Sequence, residues 1–140
     1  MDRTAKNIIK EIAGELDCGL DCYYNIKTDE LISIPNKDAL LDFEDFEALF
    51  GESLKKVNTN EKDFIKIEVL KSFESYTIME TFVDEIADDH LRQKLIGSLR
   101  NKKPFYNFNR LIDYSDYRQK WFDFKQQALE KYVRKHLELG

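Results

Sequence analysis

Histidine, cysteine and proline each occur only twice in the 140 residues, glycine five times and tryptophan once. The two histidines, His90 and His136, lie far from both cysteines in the chain. Neither thiol therefore has a base nearby to make it a nucleophile. Cys18 and Cys22 stand in LDCGLDCYY as C-x3-C. That spacing is neither the C-x-x-C of thioredoxin-like redox sites nor a usual zinc pair, and no second pair completes a four-ligand site. No stretch resembles a P-loop, a G-x-G-x-x-G turn, a G-x-S-x-G elbow or H-E-x-x-H. The chain also lacks a Gly-, Ser- or Pro-rich linker, a low-complexity tract and a fixed-period repeat, so one domain over residues 1–140 is expected. Apolar runs last only a few residues, which argues against any membrane span. MDRTAKNIIKEIAGEL shows a charge every few residues where a signal peptide has an apolar core. A cytoplasmic, reducing location with free thiols is the expectation. No catalytic residue, cofactor or metal ligand is nominated.

Charge is abundant but unevenly spread. Residues 1–91 hold 10 Lys/Arg against 22 Asp/Glu, whereas residues 92–140 hold 12 against 5, within a net −5. Either the two fields neutralise one another across the fold, or the basic part meets an anionic partner. The acidic run LLDFEDFEALFGE is interrupted by phenylalanines at helical spacing, which suits a solvated helix face and not a calcium loop.

Hydrophobic period organises the rest. Residues 4–17 read as an amphipathic helix with Ala5, Ile8, Ile9, Ile12, Ala13 and Leu16 inward, ended at Gly19. From Leu20 the period becomes two, with Leu20, Cys22, Tyr24 and Ile26 on one buried face. LISI (31–34) returns after a turn at 28–30, and Pro35 stops it. An acidic helix from about Asp38 to Lys56 has Leu40, Phe43, Phe46, Leu49, Phe50 and Leu54 inward, and 57–63 reads as a loop. FIKIEVL (64–70) is the third strand. Ser72 caps a helix through Ile86 with Tyr76, Met79, Val83 and Ile86 inward; Asp88 or Asp89 caps the next, with Leu91, Leu95, Ile96 and Leu99 inward. Pro104 begins a short helix, and Ser115 caps a final one reaching about Leu137. Strands early and helices late describe an α+β fold: a small three-stranded antiparallel sheet covered by about six helices, the C-terminal half all helical.

KKPFYNFNRLIDYSDYRQKWFDFK, residues 102–125, interleaves eight aromatic residues with six Lys or Arg. Periodicity assigns most of the rings to the core: Tyr117, Trp121, Phe124, Ala128 and Tyr132 make one stripe on the last helix, and Phe105, Phe108, Leu111 and Ile112 another on the helix before. Left over are Tyr106, Asn107, Asn109, Arg110, Tyr114, Arg118, Lys120 and Phe122, with Lys102 and Lys103 ahead of Pro104. These leave a basic, partly aromatic outer face. From it Lys102, Lys103, Tyr106, Arg110 and Arg118 are nominated as a partner-binding face.

ELDCGLDCYYNIKTDELISIP, SYTIMETFVDEI, KKPFYNF and YRQKWFDFK resemble, in that order, the blocks of an uncharacterised family of small bacterial cytoplasmic proteins. Its members share an E-L-x-C/A-G opening, a hairpin ending in I-P, an M-x-x-F-V helix, a K-P-F-x-x-F segment and a terminal R-x-x-W-F-x-F helix. The resemblance spans roughly residues 11–135. It implies a bacterial, cytoplasmic protein and carries over no activity, cofactor or functional residue.

The expected function is therefore a small non-enzymatic binding or regulatory module working through protein contacts. The partner is another protein with an acidic surface, or a second copy. RNA or DNA binding through the basic half is the disfavoured alternative, and an unrecognised enzyme a weaker one.

Overall fold

Isoleucines and a leucine at helical spacing build the first element. The computed structural model describes residues 5–36 and 43–139. Helix α1 (Ala5–Asp17) buries Ile8, Ile9, Ile12, Ala13 and Leu16. Gly19 follows at φ +86, the left-handed region that suits a residue without Cβ. Strands β1 (Leu20–Asn25), β2 (Leu31–Pro35) and β3 (Phe64–Ile67) form an antiparallel sheet in the order β2-β1-β3. Cys22 stands opposite Ser33 on one side and Ile67 on the other, and Leu20 opposite Pro35. Pro35 is thus the last residue of β2 and not a stop ahead of it. It lies on an edge strand, where a missing N–H is tolerated.

Contrary to the expected alternation, this sheet buries residues on both faces. Cys22 and Ile67 are fully buried on one, while Asp21, Asn25 and Ile34 are buried on the other; Ile26, expected inward, is 55% exposed. The two buried polar side chains have structural tasks. The Asp21 carboxylate accepts from the Val69 N–H at 2.9 Å and from Asn36 Nδ2 at 3.1 and 3.2 Å. Asn25 Oδ1 accepts from the N–H groups of Lys27 and Thr28 at 2.9 and 3.1 Å, closing the hairpin turn.

Helix α2 (Phe43–Thr59) runs past the expected end at Lys56, and a 3-10 turn (Glu61–Asp63) takes up most of the expected loop. Val57 is buried, whereas Leu49, expected inward, is 66% exposed. The expected helix starts at Thr4 and Asp38, with Leu40, lie outside the described residues, as do the side chains of Ala5 and Phe43. β3 stops at Ile67, short of the expected Leu70.

Helices α3 (Ser72–Asp84), α4 (Asp89–Leu99), α5 (Pro104–Asp113) and α6 (Arg118–Leu139) follow. Lys71, not Ser72, is the N-cap of α3, and its N–H donates to Glu74 Oε1 at 3.0 Å, so the third-position carboxylate does the capping. Asp88 caps α4 by accepting from Leu91 N–H at 3.1 Å, and Pro104 takes the first position of α5. Ser115 shapes the turn before α6 and does not cap it: its Oγ donates to Ile112 O at 2.8 Å and accepts from Tyr117 N–H at 3.1 Å.

The chain divides into two compact units, Met1–Val69 with Leu129–Gly140, and Leu70–Ala128. The first holds the sheet, α1, α2 and the later turns of α6, whose Leu129 and Val133 are buried. The second packs Met79, Phe82, Val83, Ile86, Leu95, Leu99, Phe108, Ile112 and Trp121 into one core. Trp121 sits 4.9 Å from Phe108, edge to face, and 5.2 Å from Phe82, distances at which ring quadrupoles attract. Among the described residues no helix is long and apolar enough to cross a membrane. The fold is α+β.

Candidate functional site

Within the helical unit, α4 and α5 pack against one another and leave a groove of about 570 Å³ along their outer side. Helical spacing explains its lining. From α4 come Lys94, Gly97 and Ser98, three and four residues apart, with Asn101 one turn further on; from α5 come Asn107, Arg110 and Leu111, with Tyr114 one turn beyond. A second groove of about 530 Å³ lies on the other side of α5, lined by Tyr106, Asn109, Arg110, Asp113 and Tyr114. Arg110 and Tyr114 belong to both.

Phe108 and Ile112 anchor this geometry by pointing into the core. Arg110, between them, is therefore turned outward. Tyr106, one turn before it, is 61% exposed and Tyr114, one turn after, 88% exposed. No carboxylate pairs with Lys94, Lys102, Lys103 or Arg110 among the described residues. Asp113, the carboxylate nearest in sequence, is engaged by Arg118 Nε at 3.5 Å.

The five nominated residues are thus brought together only in part. Tyr106 and Arg110 share a groove. Lys102 and Lys103 are exposed in the connection leading into α5, next to the groove-lining Asn101. Arg118 is committed elsewhere, bound to Asp113 and stacked 4.9 Å over the Phe122 ring. Phe122, expected on the outer face, is half-buried against the helical core. Lys120 lies 5.2 Å over Tyr117, and Lys125 lies 5.4 Å over Phe122. The interleaving of bases and rings on α6 is largely consumed within the chain itself.

Sequence reading missed the α4 wall. Its signal was present, since Lys94, Gly97, Ser98 and Asn101 repeat at three and four residues beside the stripe of Leu91, Leu95 and Leu99. A stripe of mixed small and polar residues reads as ordinary solvated surface until a neighbouring helix is placed beside it.

Cys22 is buried with Sγ 4.0 Å from Ile12 O and 4.0 Å from Ser33 Oγ, and burial pushes its pKa up to about 12, so it remains a protonated thiol. Cys18 is exposed. Among the described residues no group of three or more His, Cys, Asp or Glu is placed to hold a metal ion.

The blocks that suggested kinship now have physical explanations. The glycine of the E-L-x-C-G opening, Gly19, stands at φ +86 just after α1. K-P-F-x-x-F starts α5 with its first-position proline and its buried Phe108, and R-x-x-W-F-x-F sets Trp121 into the core. A UPF0158 protein of Pseudomonas aeruginosa is 26% identical over 138 residues, covering 93% of this chain and 80% of its own length. No solved structure matches the chain. With the profile of the uncharacterised protein family UPF0158 matching residues 3–139, nearly its whole length, the chain belongs to that family.

Proposed function

We propose that this is a small bacterial, cytoplasmic binding module, without enzymatic activity of its own, that recognises an acidic protein surface through the α4–α5 face. The observation that carries this reading is Arg110: exposed, unpaired among the described residues, shared by two grooves and flanked by two exposed tyrosines. Tyr and Arg contribute large contact area and charge-assisted hydrogen bonds, and they are the residue types that dominate interface energies. Lys94 from α4 and Arg110 from α5 make both walls of the first groove positive, while Leu111 adds an apolar lining. Carboxylates carried on a partially apolar surface fit both.

Two features favour protein over nucleic acid. Arg118, Lys120 and Lys125, in the first turns of α6, are stacked on the chain's own rings, so Tyr117 and Phe122 are not freely offered to bases. Residues 1–91, with 22 acidic against 10 basic side chains, repel a polyanion. Fluorescence anisotropy with two probes tests the reading: a helical peptide rich in Glu and Leu, and a single-stranded RNA. The peptide is expected to bind, and the triple variant Lys102→Gln, Lys103→Gln, Arg110→Gln to lose it. RNA binding with a log–log salt slope near −0.7 per phosphate, lost in the same variant while the peptide fails, overturns the reading in favour of nucleic acid.

A further inference from the structure

The sheet-bearing unit carries a feature complementary to the groove. On α2, Asp45, Leu49 and Glu52 fall at steps of four and three and so lie along one helical stripe, and all three are exposed. Leu49 is 66% exposed, an apolar side chain between Asp45 and Glu52 on the same stripe. Lys56, next on the same stripe, is paired with Glu30 Oε2 at 2.7 Å, which draws that lysine away from Glu52.

The groove has the opposite pattern. Its floor is Leu111 with Gly97, where a Cβ would meet nothing within 4 Å, so there is room for an incoming side chain. Lys94 and Arg110 stand on its two walls. An apolar side chain flanked by carboxylates one turn on either side is the ligand that such a groove accepts. Burying one face of an amphipathic helix in this way is a general recognition mode.

We propose that the acidic partner is a second copy of this chain, whose α2 stripe of Asp45, Leu49 and Glu52 seats in the α4–α5 groove. The inference rests on the acidic-partner reading and adds the partner's identity. The contact is heterologous, one surface meeting a different one, so every copy offers both a ridge and a groove. It also accounts for the charge division of the chain: the field of residues 1–91 and that of residues 92–140 meet across copies.

The test is size-exclusion chromatography with light scattering on the full chain, across protein concentration, with circular dichroism confirming that each variant folds. At low ionic strength the wild type should exceed monomer mass as concentration rises, and added salt should reverse this. Arg110→Glu and Glu52→Lys should each weaken association by at least about tenfold, because each places like charges across the contact. Leu49→Ala should weaken it without changing charge. An equimolar mixture of Arg110→Glu and Glu52→Lys should regain association, since each introduced charge then faces its opposite. A wild type that stays monomeric at every concentration, or single variants that associate as it does, overturns the proposal. If the chain is monomeric but the acidic peptide still binds wild type and not Arg110→Glu, the second copy is excluded and the acidic-partner reading stands. If the peptide also fails, both fall.

Discussion

The two units are held together by different chemistry. In the sheet-bearing unit, buried polar side chains do much of the specifying. Asp21 ties the main chain just beyond β3 to the residue after β2, and Asn25 closes the hairpin, both from within the central strand. In the helical unit the core is a ring cluster of Phe82, Phe108, Trp121 and Phe124, and the one buried polar side chain, Ser98, bonds within its own helix to Leu95 O at 2.7 Å. Strands of four to six residues have few ladder bonds, so side chains must pin their ends. Helices satisfy their own backbones, so large rings are enough to set how they pack. The second arrangement also leaves the groove between α4 and α5 open on the surface.

Removing a ring should produce the largest effect. Trp121→Ala is expected to cost about 3–5 kcal/mol in urea denaturation, because a side chain 2% exposed leaves a large cavity. Its indole Nε1 has no hydrogen-bond partner among the described residues, so Trp121→Phe sharpens the comparison: it keeps the ring contacts, sheds a buried unsatisfied donor, and should cost far less. Native tryptophan emission should lie well to the blue of the unfolded chain. Emission at the water-exposed wavelength in the folded protein breaks the account of this unit.

In the other unit the corresponding change is Asp21→Ala, which removes the acceptor of the Val69 N–H and two bonds from Asn36 Nδ2. A loss of about 2–3 kcal/mol is expected, as for other hydrogen bonds to a charged group. A loss near zero would show that Asp21 is not what fixes the ends of the strands.

Cys22 gives the sheet unit a pH dependence. Its folded pKa, raised to about 12 by burial, lies above that of the unfolded chain, near 9. The folded state keeps the proton longer, so this contribution is constant below about pH 9 and is lost as pH rises toward 12. The loss should approach about 1.4 kcal/mol per pH unit within that window, and Cys22→Ala should flatten it in urea titrations. A thiol reagent should modify Cys18 in the native protein and reach Cys22 only on unfolding. Smallest of all, Asp88→Ala should remove about 1 kcal/mol through the lost cap of α4, measured the same way.

How much of this was legible in the sequence follows the same division. Helical periodicity located Leu95, Leu99, Phe108, Ile112 and Trp121 correctly, because a helix packed on one side leaves a clean stripe. Alternation failed for β1, because a strand covered on both faces buries Asp21 and Asn25 as well as Cys22. Val57 was hidden in a polar run and Leu49 by its place in an apolar repeat. Each depends on what lies beside the helix, which the period alone does not state. The exposed residues of α5 could be nominated as a face, but the wall from α4 and the withdrawal of Arg118 to Asp113 required the fold.

The most direct test of the central claim is an anisotropy titration of the acidic, leucine-bearing helical peptide against wild type and Arg110→Glu. The variant should fold normally, since Arg110 is exposed and makes no ion pair among the described residues. The account predicts saturable, salt-sensitive binding by the wild type and its loss in the variant. Equal binding by the two proteins, or none by the wild type, would contradict it.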